Sequence, residues 1–249
     1  MNFLPVYRRN LLVWRKLAPA SVLGNIAEPL ITLVAFGYGL GRLLPEVDGV
    51  PYIVFLAAGS VCMSTAMAAS FESLYSAYSR MQVQQTWASI MNAPVDLEDI
   101  LIAEWLWAAT KAMFSGLAIL GVILLLGLSR SPTLLALPFV VALIGLVFAG
   151  IGLCVNALAR GYDFFTYYFT LGLTPMVFLA GVYYPASALP SWLAAIAAWL
   201  PLSAAVELAR PLVLGQWPPE AATRTALLIA YALGSFALAL VLTRRRLRN

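Results

Sequence analysis

Glu104 and Lys111 lie seven residues apart within one apolar stretch, with Trp107 between them. At 3.6 residues per turn, seven positions make nearly two turns, so the two charges share a helix face about 10.5 Å apart along the axis. Ionisable side chains inside a membrane are costly and default to a functional hypothesis. Two readings stand side by side. In one, Lys111 offers a cationic contact to an anionic or sugar-bearing substrate. In the other, Glu104 stays in the cytoplasmic interface and Lys111 snorkels towards it, with Trp107 in cation–π reach. Glu28 precedes Pro29, which should kink its helix and free a backbone carbonyl. It is a candidate gating residue, or a partner for an arginine of the opening segment. Tyr183, Tyr184 and Glu207 complete the candidate pathway or gating set.

Other chemistry is missing from the sequence. No Gly-x-x-x-x-Gly-Lys-Ser/Thr loop occurs to cradle ATP phosphates. With no histidine and only Cys62 and Cys154, both in apolar runs, neither a zinc or haem site nor a disulfide framework is expected. The chain is expected to bind no cofactor. An embedded enzyme using Glu104, Lys111 and Glu207 would want more polar groups converging on one pocket. A stand-alone secondary transporter would be expected to show inverted repeats, and no half-to-half repeat is visible.

The elements that must position these residues are membrane helices. The 249 residues are 62% hydrophobic and 10% charged, with a mean hydropathy of +0.88. A soluble domain is about 45–50% apolar and about 25% charged. The net charge of +4 sits mostly at the chain ends beside apolar runs. Lipid and topology explain it better than nucleic acid. Six segments are long and apolar enough to span: about Val22–Leu40, Tyr52–Phe71, Leu101–Leu128, Leu134–Leu158, Phe164–Val182 and Thr225–Leu242. The expected fold is thus an all-α polytopic membrane protein.

Residues 1–19 interleave Leu4, Leu11, Leu12 and Leu17 with Arg8, Arg9, Arg15 and Lys16, and add Tyr7 and Trp14. This reads as an amphipathic helix on the membrane surface, with charges where a signal peptide would need an apolar run. If the N-terminus is cytoplasmic, ten of the fifteen Lys and Arg residues fall inside and four outside. Both termini are then cytoplasmic. The cytoplasmic stretch Leu74–Ile100 reads as a short helix, a turn marked by Pro94 and a new helix start with Asp96 as N-cap. In the stretch Gly181–Gly215, the run Leu193–Leu200 is too short to span and Pro185, Pro190 and Pro201 punctuate it. Broken helices that enter and leave on one side fit best. The aromatic residues Tyr162, Phe164, Phe165, Tyr167, Tyr168 and Phe169 read as a cytoplasmic aromatic belt.

These features together resemble the permease subunits of type-2 ABC transporters over essentially the whole chain. The resemblance rests on Glu28-Pro29, on Gln82–Pro94 before the third span, on Phe178-Leu-Ala-Gly-Val-Tyr-Tyr-Pro185, on Leu200-Pro201-Leu202 and on Glu207-Leu-Ala-Arg210-Pro. Within that family the chain is similar to the NodJ branch, associated with export of lipo-chitooligosaccharide nodulation factors. Trp14-Arg-Lys16, Ser21-Val-Leu-Gly-Asn25, Phe55-Leu-Ala-Ala-Gly59, Thr86-Trp87 and the Glu104–Lys111 block carry that similarity. The resemblance implies a permease in the bacterial inner membrane, with residues 20–249 as its transmembrane domain and residues 1–19 as a connecting helix. It further implies a homodimer with two copies of a separate ABC ATPase that binds ATP and Mg. Residues 82–94 would be the coupling region, with Gln84, Gln85, Thr86, Trp87 and Asn92 meeting the ATPase. Residues 183–215 would be the extracellular re-entrant region between the fifth and sixth helices. The implied cargo is a lipid-linked oligosaccharide, with hydrophobic drugs or other lipids as the alternative.

Overall fold

The computed structural model describes residues 2–16 and 18–248, and within them the side chains of 19–26, 28 and 29 are outside the described set. Glu28 therefore has a described backbone but no described side chain. The fold is almost wholly helical. α1 (Phe3–Arg15) and α2 (Ala18–Gly39) lead into a hairpin of β1 (Glu46–Val47) and β2 (Val50–Pro51). Asp48 and Gly49 make its turn, both at positive φ. An Asp-Gly pair is the ordinary choice for such a two-residue turn.

α3 (Tyr52–Phe71) does not stop where its apolar run ends. The helix continues through wider turns at Glu72–Ser76 and Ser79–Val83, giving one apolar span from Tyr52 to Val83 of 32 residues. A short α4 (Thr86–Ile90) follows, and Gln85 before it adopts the left-handed conformation. α5 (Leu97–Leu125) starts with Asp96 in extended geometry at the N-cap, although the Asp96 side chain makes no cap hydrogen bond. A 3₁₀ turn (Pro132–Ala136) opens α6 (Leu137–Leu158). α7 (Asp163–Tyr167) and α8 (Thr174–Leu179) are joined by one wider helical stretch, Tyr168–Leu173. α9 (Ser191–Ala197) and α10 (Pro201–Val213) meet at a sharp bend of 87°, and α11 (Ala221–Arg248) closes the chain.

Among the described residues, four helices are long and apolar enough to cross a membrane unaided, and the bent α9–α10 pair would make five. This is a multi-pass membrane protein. The core lies where α3, α5, α6, α10 and α11 pack together. Small residues let the backbones close up. At Gly59 a Cβ would stand 2.8 Å from the Val182 carbonyl oxygen, and at Gly145 one would stand 3.0 Å from that of Ala109.

The bundle has two distinct ends. At one, Arg246 Nη1 donates to the Asn156 carbonyl at 2.7 Å, Arg244 Nε donates to Glu98 at 2.9 Å, and Asn2 Nδ2 donates to the Pro94 carbonyl at 2.9 Å. Both termini, the start of α5 and the end of α6 therefore share this end. At the other, the Tyr52 hydroxyl reaches the Tyr183 carbonyl at 3.3 Å and Tyr231 reaches the Trp199 carbonyl at 2.9 Å. The break between α9 and α10 leaves carbonyls without helical partners, and α11 satisfies two of them: Arg224 Nη1 donates to Ala198 at 3.1 Å and Tyr231 caps Trp199. Irregular backbone at membrane depth requires such sheltering.

The aromatic residues after α6 are not a uniform belt. Phe165 is wholly buried and packs edge-on against Tyr75 and Tyr78, while the Tyr168 hydroxyl bonds Ser70 at 2.8 Å. Tyr162, Phe164 and Tyr167 stay exposed. The reason is the prolonged α3, whose extra turns carry aromatic partners past the apolar run.

Candidate functional site: a buried charge network beneath α4

The most developed polar arrangement lies at the end that carries both termini. α3 contributes Glu72 and Arg80, α4 contributes Trp87, and α5 contributes Glu104, Trp107 and Lys111. Glu72 and Glu104 are 3% and 2% exposed. Each carboxylate holds several donors. Glu72 Oε1 accepts from Arg80 Nη2 and from Trp107 Nε1, both at 2.9 Å, and its Oε2 accepts from Lys111 Nζ at 2.6 Å. Glu104 Oε1 accepts from Arg80 Nε at 2.9 Å and from Trp87 Nε1 at 3.2 Å, while its Oε2 takes Arg80 Nη2. Two positive and two negative charges thus cancel. Burying charges is tolerable only when they are paired and their remaining hydrogen-bonding capacity is filled, which is the case for these carboxylates.

Helix geometry explains why the network can form. Lys111 and Glu104 share a face of α5 that is turned towards α3. The wider turns of α3 bring Glu72 and Arg80 to the same side although they are eight residues apart. Arg80 bridges the two carboxylates because its guanidinium is a planar fork with several donors. α1 lies against the outside. Tyr7 bonds Thr110 at 3.0 Å, Trp14 stacks on Phe114 at 5.0 Å, and both rings pack edge-on against Trp107. α1 therefore runs alongside α5, anchored at Pro94 near its start and at Phe114 near its end.

The positions singled out from sequence fall into separate groups. Glu104, Trp107 and Lys111 come together, but not with each other as partners. Lys111 reaches Glu72 instead of Glu104, and Trp107 donates a hydrogen bond to the same carboxylate instead of presenting its face to Lys111. Glu72 and Arg80 complete the network, and neither stood out as a site in sequence. The available signal was a charge at the end of an apolar run followed eight residues later by its opposite. In the coupling region, Gln84, Gln85 and Asn92 are exposed and Thr86 is half-buried. Trp87 is only 2% exposed and points inward to Glu104, so its ring is not an anchor on the surface.

Tyr183, Tyr184 and Glu207 lie at the opposite end. Tyr183 packs against Phe36 and Phe178, and its hydroxyl approaches Met63 Sδ at 3.3 Å; Tyr184 is half-buried. Glu207 pairs with Arg224, which also holds Glu220 at 3.1 Å. Arg210 lies 3.7 Å above the Phe55 ring and donates to the Gly181 carbonyl. These contacts tie α10 to α3 and to the turn before residue 183.

Comparison with known proteins agrees with this architecture. Residues 2–214 match the ABC-2 type transporter family. The chain belongs to that family. It is 45% identical over 248 residues to Nodulation protein J of Rhizobium leguminosarum bv. viciae, covering 99% of this chain and 95% of the relative. It is 43% identical over 247 residues to Nodulation protein J of Rhizobium meliloti (strain 1021), covering 99% and 94%. A more distant relative, the inner membrane transport permease YadH of Escherichia coli (strain K12), is 22% identical over 170 residues, covering 67% and 66%. This ABC-2 chain is accordingly a NodJ-like transport subunit and not an enzyme.

Proposed function

We propose that this chain is the permease half of an ATP-driven exporter for an amphipathic substrate such as a lipid-linked oligosaccharide. It works as a homodimer with six membrane helices per copy, in a bacterial inner membrane, with both termini cytoplasmic. It binds no cofactor, and ATP and Mg belong to a separate ATPase present in two copies. The single observation that carries this reading is the network joining α4 to the membrane helices. An exposed turn at Gln84 and Gln85 leads into the helix of Trp87, Trp87 is bonded to Glu104, and Glu104 is bonded through Arg80 to Glu72 on α3. A push on the turn would therefore reach α3 and α5 through bonded groups and not through soft side chains. The arginine-rich end of α11 lies on the same side as α4, as the excess of basic residues on cytoplasmic faces would require.

Co-expression with an ABC ATPase encoded beside this chain tests the proposal. Gln84→Arg places a second cation near Arg80 on the exposed turn. It should abolish co-purification of the ATPase and transport together, while the permease still inserts and unfolds at its ordinary temperature. A variant that still binds the ATPase and transports would place the docking surface elsewhere. Transport that persists with no ATPase bound would overturn the exporter reading.

A further inference from the structure

Beside the charge network, a cavity of about 360 Å³ opens between α1 and the prolonged end of α3. Arg9, Asn10, Arg80 and Lys111 line it on the polar side, and Val13 and Trp14 on the apolar side. Its polar lining is not self-sufficient. Arg80 and Lys111 are held by Glu72 and Glu104, but among the described residues no carboxylate pairs with Arg9. Among the described residues, the one side-chain hydrogen bond from Arg9 goes to Asn10 Oδ1 at 3.0 Å. Asn10 is 3% exposed, and its Nδ2 donor has no partner among the described residues. A buried amide donor left unmade costs about 1–3 kcal/mol, so an acceptor entering the cavity would be stabilised there. Burial and the neighbouring Arg80 also push the Arg9 guanidinium below its ordinary pKa, and the attraction of Glu104 offsets this only in part.

The position of the cavity narrows the ligand. Tyr52, at the opposite end of α3, is twenty residues from Glu72. At 1.5 Å per residue that is about 30 Å, one hydrocarbon thickness. Glu72 also lines the cavity, which therefore lies at the level where lipid headgroups meet the acyl region. A guanidinium fork, an amide donor and an apolar wall carrying a tryptophan suit a phosphate whose attached chain continues into the bilayer. We propose that the cavity is a site for the phosphate of an anionic phospholipid in the leaflet that contains α1. The inference needs only that the chain spans a membrane, and it stands or falls independently of the export reading.

The test uses the purified full chain in a neutral detergent, with retained lipid counted by native mass spectrometry. Phosphatidylglycerol is titrated against phosphatidylcholine and against soluble glycerol phosphate. Phosphatidylglycerol should bind the wild type at one tight site. Arg9→Gln should weaken that site about fivefold to tenfold, the size of one charge-assisted contact. Arg15→Gln, which removes an exposed charge from the same helix outside the cavity, should change it less than twofold. Asn10→Leu removes both the Nδ2 donor and the Oδ1 acceptor that holds Arg9, so it should bind the lipid more weakly than the wild type. Equal losses in Arg9→Gln and Arg15→Gln would reduce the effect to general surface charge and overturn the proposal. Equally tight phosphatidylcholine would overturn the anionic requirement, and glycerol phosphate binding as tightly as the lipid would overturn the membrane source. Displacement of the lipid when the ATPase binds would give the cavity to the protein partner instead.

Discussion

Replacing Glu72 by glutamine is the sharpest perturbation of the network. It keeps the size and one carbonyl acceptor, but it removes a charge that two cations share. Arg80 would keep Glu104, whereas Lys111 would keep no carboxylate among its described partners. A hydrogen bond to a charged group contributes about 1.5–3 kcal/mol and a neutral one about 0.5–1.5 kcal/mol. Two ionic contacts downgraded in this way lose about 2–3 kcal/mol together. Outright removal of a partner from a buried pair costs about 3–5 kcal/mol, which sets the upper limit. For a chain of this size each 1 kcal/mol moves the unfolding midpoint by about 2–4 °C. Glu72→Gln should therefore unfold about 4–12 °C below the wild type in detergent. The double variant Glu72→Gln with Lys111→Met restores neutrality to the network and should recover more than half of that loss. The assay is thermal unfolding of all four members of the cycle, followed by tryptophan fluorescence, since Trp107 bonds Glu72 directly. Strict additivity, with the double variant lower than either single one, would refute the reasoning by showing that Glu72 and Lys111 do not depend on each other.

Two further outcomes follow from the opposite end. Gly59→Val would drive a side chain into the Val182 backbone; overpacking of this kind costs about 1–3 kcal/mol, and the midpoint should drop while Gly59→Ser drops less, so equal stability of Gly59→Val and wild type would contradict the close approach. Arg224 meets Glu207, Glu220 and the Ala198 carbonyl at once. A lysine cannot span such a fork, so Arg224→Lys should destabilise nearly as much as Arg224→Met, by about 1–2 kcal/mol, and full rescue by lysine would show that charge alone suffices.

Much of this protein is legible in one dimension because membrane burial imposes a length and a composition on each helix. The apolar runs, the amphipathic α1, the proline-broken segment before α11 and the shared face of Glu104 and Lys111 all follow from period and hydropathy. Sequence could not show that α3 runs past Phe71 to Val83, because the polar residues that end the apolar run are the ones buried against α5. It could not show that Trp87 turns inward, because an aromatic beside glutamines looks the same whether it meets a partner protein or a buried carboxylate. The Glu104–Lys111 spacing located a polar face correctly and named the wrong partners. Spacing along one helix determines which side chains share a face. Only the packing of a second helix decides which opposite charge they reach, and here that helix brings Glu72 and Arg80 between them.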